Sequence, residues 1–189
     1  LHDQIDTEVH DFSHFSCKSQ NRAEKLTKKA EEWNYKYPNK RLIVHYMLPH
    51  DPYIGSTAEK MRKSKDAKIN IPNMREGKIN IPDNKLRQLY IENLEYVMKY
   101  VKKILKKLSG KTVVSADHGE LLGDRVHPIP HKEYGHIGGL YVPELVNVPW
   151  LIYENGQRKS IVSEEPIRNY MKDISDRDVK KNLKKLGYI

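Results

Sequence analysis

Apolar positions along this chain recur with two different periods, and the switches between them outline its elements. From Asn21 to Tyr35, Ala23, Leu26, Ala30 and Trp33 fall three or four apart with Lys and Glu between them, which predicts an amphipathic helix. Pro38-Asn39 ends it. From Lys85 to Leu108 the same period runs through Leu86, Tyr90, Leu94, Val97, Val101, Ile104 and Leu108, and Ser109-Gly110 stops it, glycine being favoured just past a helix end. Three short runs read instead as strands: Arg41–Leu48, Thr112–Ala116 and Val148–Tyr153. The unbroken Leu42-Ile43-Val44 implies burial on both faces, as in a parallel sheet. The order strand, loop, helix, strand, loop, strand predicts an α/β fold with a doubly wound sheet. A last helix is expected over Asp176–Leu186, opened by the capping-box-like Ser175 to Asp178. Residues 1–19 are polar and show no period.

Between the first strand and the long helix, residues 56–84 hold an internal echo: Lys68-Ile-Asn-Ile-Pro72 recurs as Lys78-Ile-Asn-Ile-Pro82. One repeat at this step is too short for a solenoid. The segment is expected to be an insertion, hairpin-like or irregular, lying over the site.

The chemistry concentrates where the strands stop. Thr112–Ala116 ends abruptly in Asp117-His118-Gly119, placing a carboxylate and an imidazole side by side at a strand end, where two adjacent ligands can reach one cation. In an open α/β sheet that edge is also where ligands bind. Downstream, a Gly- and His-rich loop carries Gly135-His136, and upstream the first strand runs into Pro49-His50-Asp51-Pro52. His127 and His131 stand in a proline-stiffened loop whose spacing fits no closed zinc pattern, and they read as rim residues. Glu120 and Asp124 read as supports for neighbouring donors or turns. His45 reads as a hydrogen-bonded core residue.

These features together resemble the alkaline phosphatase and sulfatase superfamily. The matching stretches are Asp117-His118-Gly119-Glu120, Leu122-Gly123-Asp124, Tyr134-Gly135-His136, Asn147-Val148-Pro149-Trp150, the segment Leu42–Tyr53 and the chain end Leu183–Ile189. The resemblance implies one partial domain over residues 1–189, the C-terminal part of a doubly wound alkaline-phosphatase-like sheet, with an N-terminal portion missing. It implies that Asp117 and His118 bind a divalent metal and that His136 makes a further metal or substrate contact. It implies that His50 touches the transferred group or protonates the departing oxygen, as an imidazole with a pKa near neutrality can. Sulfatases proper commonly carry Asn where this chain has His118. An imidazole suits zinc or manganese better than calcium, which shifts the expectation toward phosphate chemistry.

The nucleophile of that superfamily is a Ser, a Thr or a formylglycine-forming Cys. Cys17 is out of register for the last, with Ser19 and Asn21 where the signature needs Pro or Ala and then Arg. No nucleophile is therefore expected in this chain, and the chain alone is expected to be inactive. The implied activity is a metal-dependent hydrolase or transferase acting on a small-molecule or glycan phosphate or sulfate ester. The alternatives are a sulfatase proper, a phospho-sugar transferase in glycan assembly, or an inactive sulfatase-like binding module.

Charge and composition alter this little. The net charge of +9 comes mainly from lysines interleaved with apolar helix positions, the pattern of solvated faces, so nucleic acid is not expected as a partner. No apolar run approaches the ~18 residues of a membrane span. The single cysteine excludes an intrachain disulfide framework and favours a cytoplasmic location, although an N-terminal signal would lie outside the sequence. Oligomeric state is not legible.

Overall fold

The computed structural model describes residues 9–13, 21–64, 69–127 and 131–167. Its elements, in chain order, are α1 (Arg22–Lys36), α2 (Ser56–Ser64), α3 (Ile71–Arg75), α4 (Asp83–Leu105), β1 (Gly110–Ser115), β2 (Leu121–Arg125), β3 (Lys132–Gly135), α5 (Pro143–Val146) and β4 (Trp150–Asn155). The expected helix over Asp176–Leu186, its start at Ser175 and Cys17 lie outside the described residues.

Helix α4 is the spine. Its buried face is Leu86, Leu89, Asn93, Val97, Val101, Ile104 and Leu105, a stripe at helical spacing. The sequence pattern places Tyr90 and Leu94 in that stripe. The structure turns the helix so that Leu94 is exposed and the polar Asn93 is fully buried. Asn93 occupies an apolar stripe because its amide meets the backbone of the Pro49–Ile54 loop, so its polar atoms are satisfied there.

Along its C-terminal half α4 packs against α1 and the β1–β4 pair. Ala23, Val97, Val101 and Leu105 form one cluster with Tyr46, Leu48, Val114 and Tyr153 around it. Thr27 of α1 is buried there; its hydroxyl donates to the Ala23 carbonyl and shares a hydrogen bond with Tyr46. Along its N-terminal half α4 meets residues 56–84. The hairpin-like form does not occur among the described residues: α2 and α3 are helical with irregular chain after them, and the segment contributes Ala58, Ile69, Ile71, Met74, Ile79 and Ile81 to a second core cluster. The echoed Ile-Asn-Ile-Pro serves one purpose twice. In each copy both isoleucines are buried, and the proline stands at the start of a helix, within the first turn of α3 and just before α4.

The sheets differ most from the sequence expectation. Among the described residues there are two separate two-stranded sheets, β1 with β4 and β2 with β3, both antiparallel. Arg41–Leu48 alternates between exposed and part-buried residues, with Ile43 88% exposed, yet it pairs with no strand. A strand is completed by its neighbour's hydrogen bonds, and here no described segment supplies them. The result is a mixed α/β arrangement of a long helix, shorter helices and small antiparallel sheets.

Candidate functional site

Three loops meet at one end of β1 and of the β2–β3 hairpin. The first follows β1 and carries Asp117 and His118. The Asp117 side chain accepts from the His118 amide, and His118 Nδ1 lies 2.7 Å from the Gly119 carbonyl. A ring nitrogen bonded to a carbonyl must be its N–H, so the neutral ring keeps its lone pair on Nε2, the tautomer that metal-binding histidines commonly adopt. Gly119 is required for packing: a Cβ there would overlap the Glu144 carbonyl oxygen, and its amide donates to the Leu145 carbonyl. The turn is thus pressed onto α5.

The hairpin brings the second pair. Leu121 of β2 lies opposite Gly135 of β3, so Glu120 and His136, one residue beyond each, extend the ladder and face each other. His136 Nδ1 is 3.6 Å from Glu120 Oε1. Glu120 is almost completely buried, its side chain 6% exposed, and its Oε1 accepts no hydrogen bond among the described residues. Gly135 holds the left-handed conformation with φ +76°, which only glycine adopts without strain.

The third contribution is the Pro49–Pro52 loop. His50 Nδ1 lies 2.7 Å from Asp51 Oδ1 and 2.9 Å from the Asp51 carbonyl. Burial is the largest influence on this ring and works against the charged form, but the Asp51 side chain and backbone, with Glu120 beyond, outweigh it and push the pKa from 6.5 up to about 9. Asn93 holds the loop in place. Its Nδ2 donates to the carbonyls of Pro49, His50 and Pro52, and its Oδ1 accepts from the Ile54 amide.

The side chains named from the sequence therefore come together. The His118 and His136 rings are 4.1 Å apart centre to centre, the His50 and His136 rings 5.6 Å, and Asp117 Oδ2 is 3.7 Å from His118 Nε2. His50, Glu120 and His136 place their ligand atoms within 4.8 Å of one another. Two tyrosines close the back of the site. Tyr90 is pushed up to about 12 by burial and by the charges of Glu120 and Asp117, and Tyr53 is raised further by burial and by Asp51. Both stay neutral phenols.

Some assignments change. His45 is not a core residue: its side chain is half exposed and stands 3.8 Å from Asp117 Oδ2, at the edge of the site. Glu120 is part of the cluster itself. The sequence signal for it was the one-residue offset from two strands that pair, which needs the register to be known. His131 pairs with Glu133 on an exposed rim, as expected of a rim residue.

A family model described as Sulfatase matches residues 8–178. The chain belongs to the sulfatase family. That membership places it in the alkaline phosphatase and sulfatase superfamily, whose members are hydrolases of sulfate and phosphate esters and generally use divalent metals. No curated protein and no solved structure gives a significant match. For this sulfatase-family chain, one donor set has the spacing and chemistry for such a cation: the imidazoles of His50 and His136 with the Glu120 carboxylate, which includes a buried oxygen that no hydrogen bond among the described residues satisfies, while Asp117 and His118 stand paired beside it. No helix among the described residues is long and apolar enough to cross a membrane.

Proposed function

We propose that this sulfatase-family chain is the metal- and ester-binding part of a metal-dependent hydrolase or transferase, acting by in-line displacement on a phosphate ester in preference to a sulfate ester. The observation that supports it most directly is the convergence of His50, Asp117, His118, Glu120 and His136 at one sheet end. We further propose the doubly wound sheet of the superfamily as its fold, with the extended Arg41–Leu48 segment, which shares a core cluster with β1, as one of its strands.

Asp117, His118 and His136 would hold the cation, with the Glu120 carboxylate as a further donor. A divalent cation supplies positive charge against the ester oxygens and lowers the pKa of an oxygen nucleophile. His50 has a different part. Its Nδ1 is engaged twice by Asp51, which orients the ring and favours its charged form in the metal-free protein. It hydrogen-bonds the transferred group or delivers a proton to the departing oxygen. The attacking hydroxyl is not among these imidazoles and carboxylates. Tyr53 and Tyr90, neutral at working pH, add no charge that would repel a dianion. A sulfate ester is the second reading, favoured by the family description itself.

Metal and ester binding to the purified chain tests this. Manganese or zinc should bind more tightly than calcium, because His118 and His136 supply nitrogen donors. Asp117→Asn and His118→Ala should each weaken manganese binding by about tenfold or more. In the presence of manganese, 4-nitrophenyl phosphate should bind more tightly than 4-nitrophenyl sulfate, since a dianion gains more from a cationic site. A calcium preference combined with tighter sulfate binding would replace the phosphate reading by the sulfate one. Failure of all three cations to bind would end the metal assignment.

A further inference from the structure

Beside the cluster, between α3 and β3, lies a cavity of about 450 Å³. Small-molecule sites commonly measure about 300–1,000 Å³. Met74, Tyr134 and Ile137 give it an apolar side, while Arg75, His131, Lys132 and Glu133 give it a charged rim. Its lining residues Tyr134 and Ile137 are chain neighbours of Gly135 and His136. The position a Cβ would take on Gly135 is 3.1 Å from Arg75 Nη2 and 3.3 Å from Glu120 Oε1. The Arg75 guanidinium therefore stands at the junction between the cavity and the histidine cluster.

The charges around the cavity are mostly spent. His131 Nε2 is 2.7 Å from Glu133 Oε1, and Lys132 is ion-paired to Asp83. Arg75 is different. Its Nε donates to the Tyr134 carbonyl at 2.7 Å, which orients the group without neutralising it, and no carboxylate among the described residues forms an ion pair with it. A planar guanidinium held by one backbone bond keeps its Nη donors for a bidentate oxyanion such as a phosphate, a sulfate or a carboxylate.

We infer that this cavity is the subsite for the organic part of the ester and that Arg75 binds a second anionic group carried on it. Resting on the ester reading above, this narrows the substrate class to polyanionic esters of about sugar size, such as a bisphosphorylated or multiply sulfated ring. The ring's apolar face lies on Met74, Tyr134 and Ile137. One anionic group sits among His50, His118 and His136, and the other reaches Arg75.

Calorimetry on the full chain with manganese, using glucose 6-phosphate and glucose 1,6-bisphosphate as probes, tests this. The bisphosphate should bind about tenfold more tightly, the size expected of one charge-assisted contact. Arg75→Gln should shrink that gap to about twofold and leave the monophosphate nearly unchanged, with circular dichroism verifying the fold. Arg75→Lys keeps the charge but loses the fork, and it should give an intermediate gap; it decides the matter should Arg75→Gln not fold. Lys132→Gln should leave the gap in place. Equal binding of the two sugars, or a gap that survives Arg75→Gln or falls equally in Lys132→Gln, overturns the subsite and leaves the ester reading intact. Absence of binding by both sugars overturns the two together.

Discussion

Replacing Asn93 with Leu would keep a side chain of similar size and remove four hydrogen bonds from a fully buried position. The carbonyls of Pro49, His50 and Pro52 and the Ile54 amide would lose their partner. Leaving even part of that set unsatisfied is expected to cost about 3 kcal/mol, read by urea unfolding. Amide exchange at Ile54 should quicken by more than exchange across α1, because the damage is local to the His50 loop. His50 itself gives a pH signature. Its folded pKa of about 9 stands above the ordinary 6.5, so it contributes stability that is fully present below pH 6.5 and is lost as the pH rises through about 9. In metal-free protein, the melting temperature of wild type should exceed that of His50→Gln at pH 6 by more than at pH 9.5. An equal difference at both values would mean that Asp51 does not hold the ring charged. The chemical identities at the site were legible because Asp117, His118 and His136 follow strand ends or glycine turns. Asn93 was not, since an amide in an apolar stripe looks like an interruption until the loop that satisfies it is in view.

At the scale of elements, the β2–β3 hairpin sets the distance between Glu120 and His136. Gly135→Ala should strain it twice, through a φ of +76° and through a Cβ placed 2.8 Å from Ile71 Cγ2. A loss of roughly 2 kcal/mol in stability is expected, together with weaker manganese binding, both measurable on the same preparation. Unchanged manganese affinity would show that the hairpin register is not what spaces the donors. The long helix was legible because its period is sustained over six turns, and β1 and β4 because short β-branched runs bounded by turns have few other readings. The form of residues 56–84 was not. The same Ile-Asn-Ile-Pro pattern that alternates like a strand proves to be two buried anchors at a helix start, because proline fixes the backbone for a first turn and removes a ladder donor.

Across the whole molecule, α4 touches each part that builds the site. Its C-terminal half packs on α1 and the β1–β4 pair, its N-terminal half on α2 and the buried isoleucines Ile69, Ile71, Ile79 and Ile81, and Asn93 between them secures the His50 loop. The basic charge belongs mainly to the solvated faces of these helices, and Arg75 at the junction of cavity and cluster is the exception that bears on substrate. The sequence by itself determined the family, the types of α1, α4, β1 and β4, and which Asp and His side chains are candidates for the site. Those properties depend on local spacing, on turn residues and on the intrinsic chemistry of Asp and His. The tertiary structure decided that β1 pairs antiparallel with β4, that Arg41–Leu48 stays unpaired among the described residues, that Glu120 joins the histidines, and that Arg75 borders them. Each of these is a contact between segments far apart in the chain, fixed by which surfaces bury together, and no local period encodes that choice.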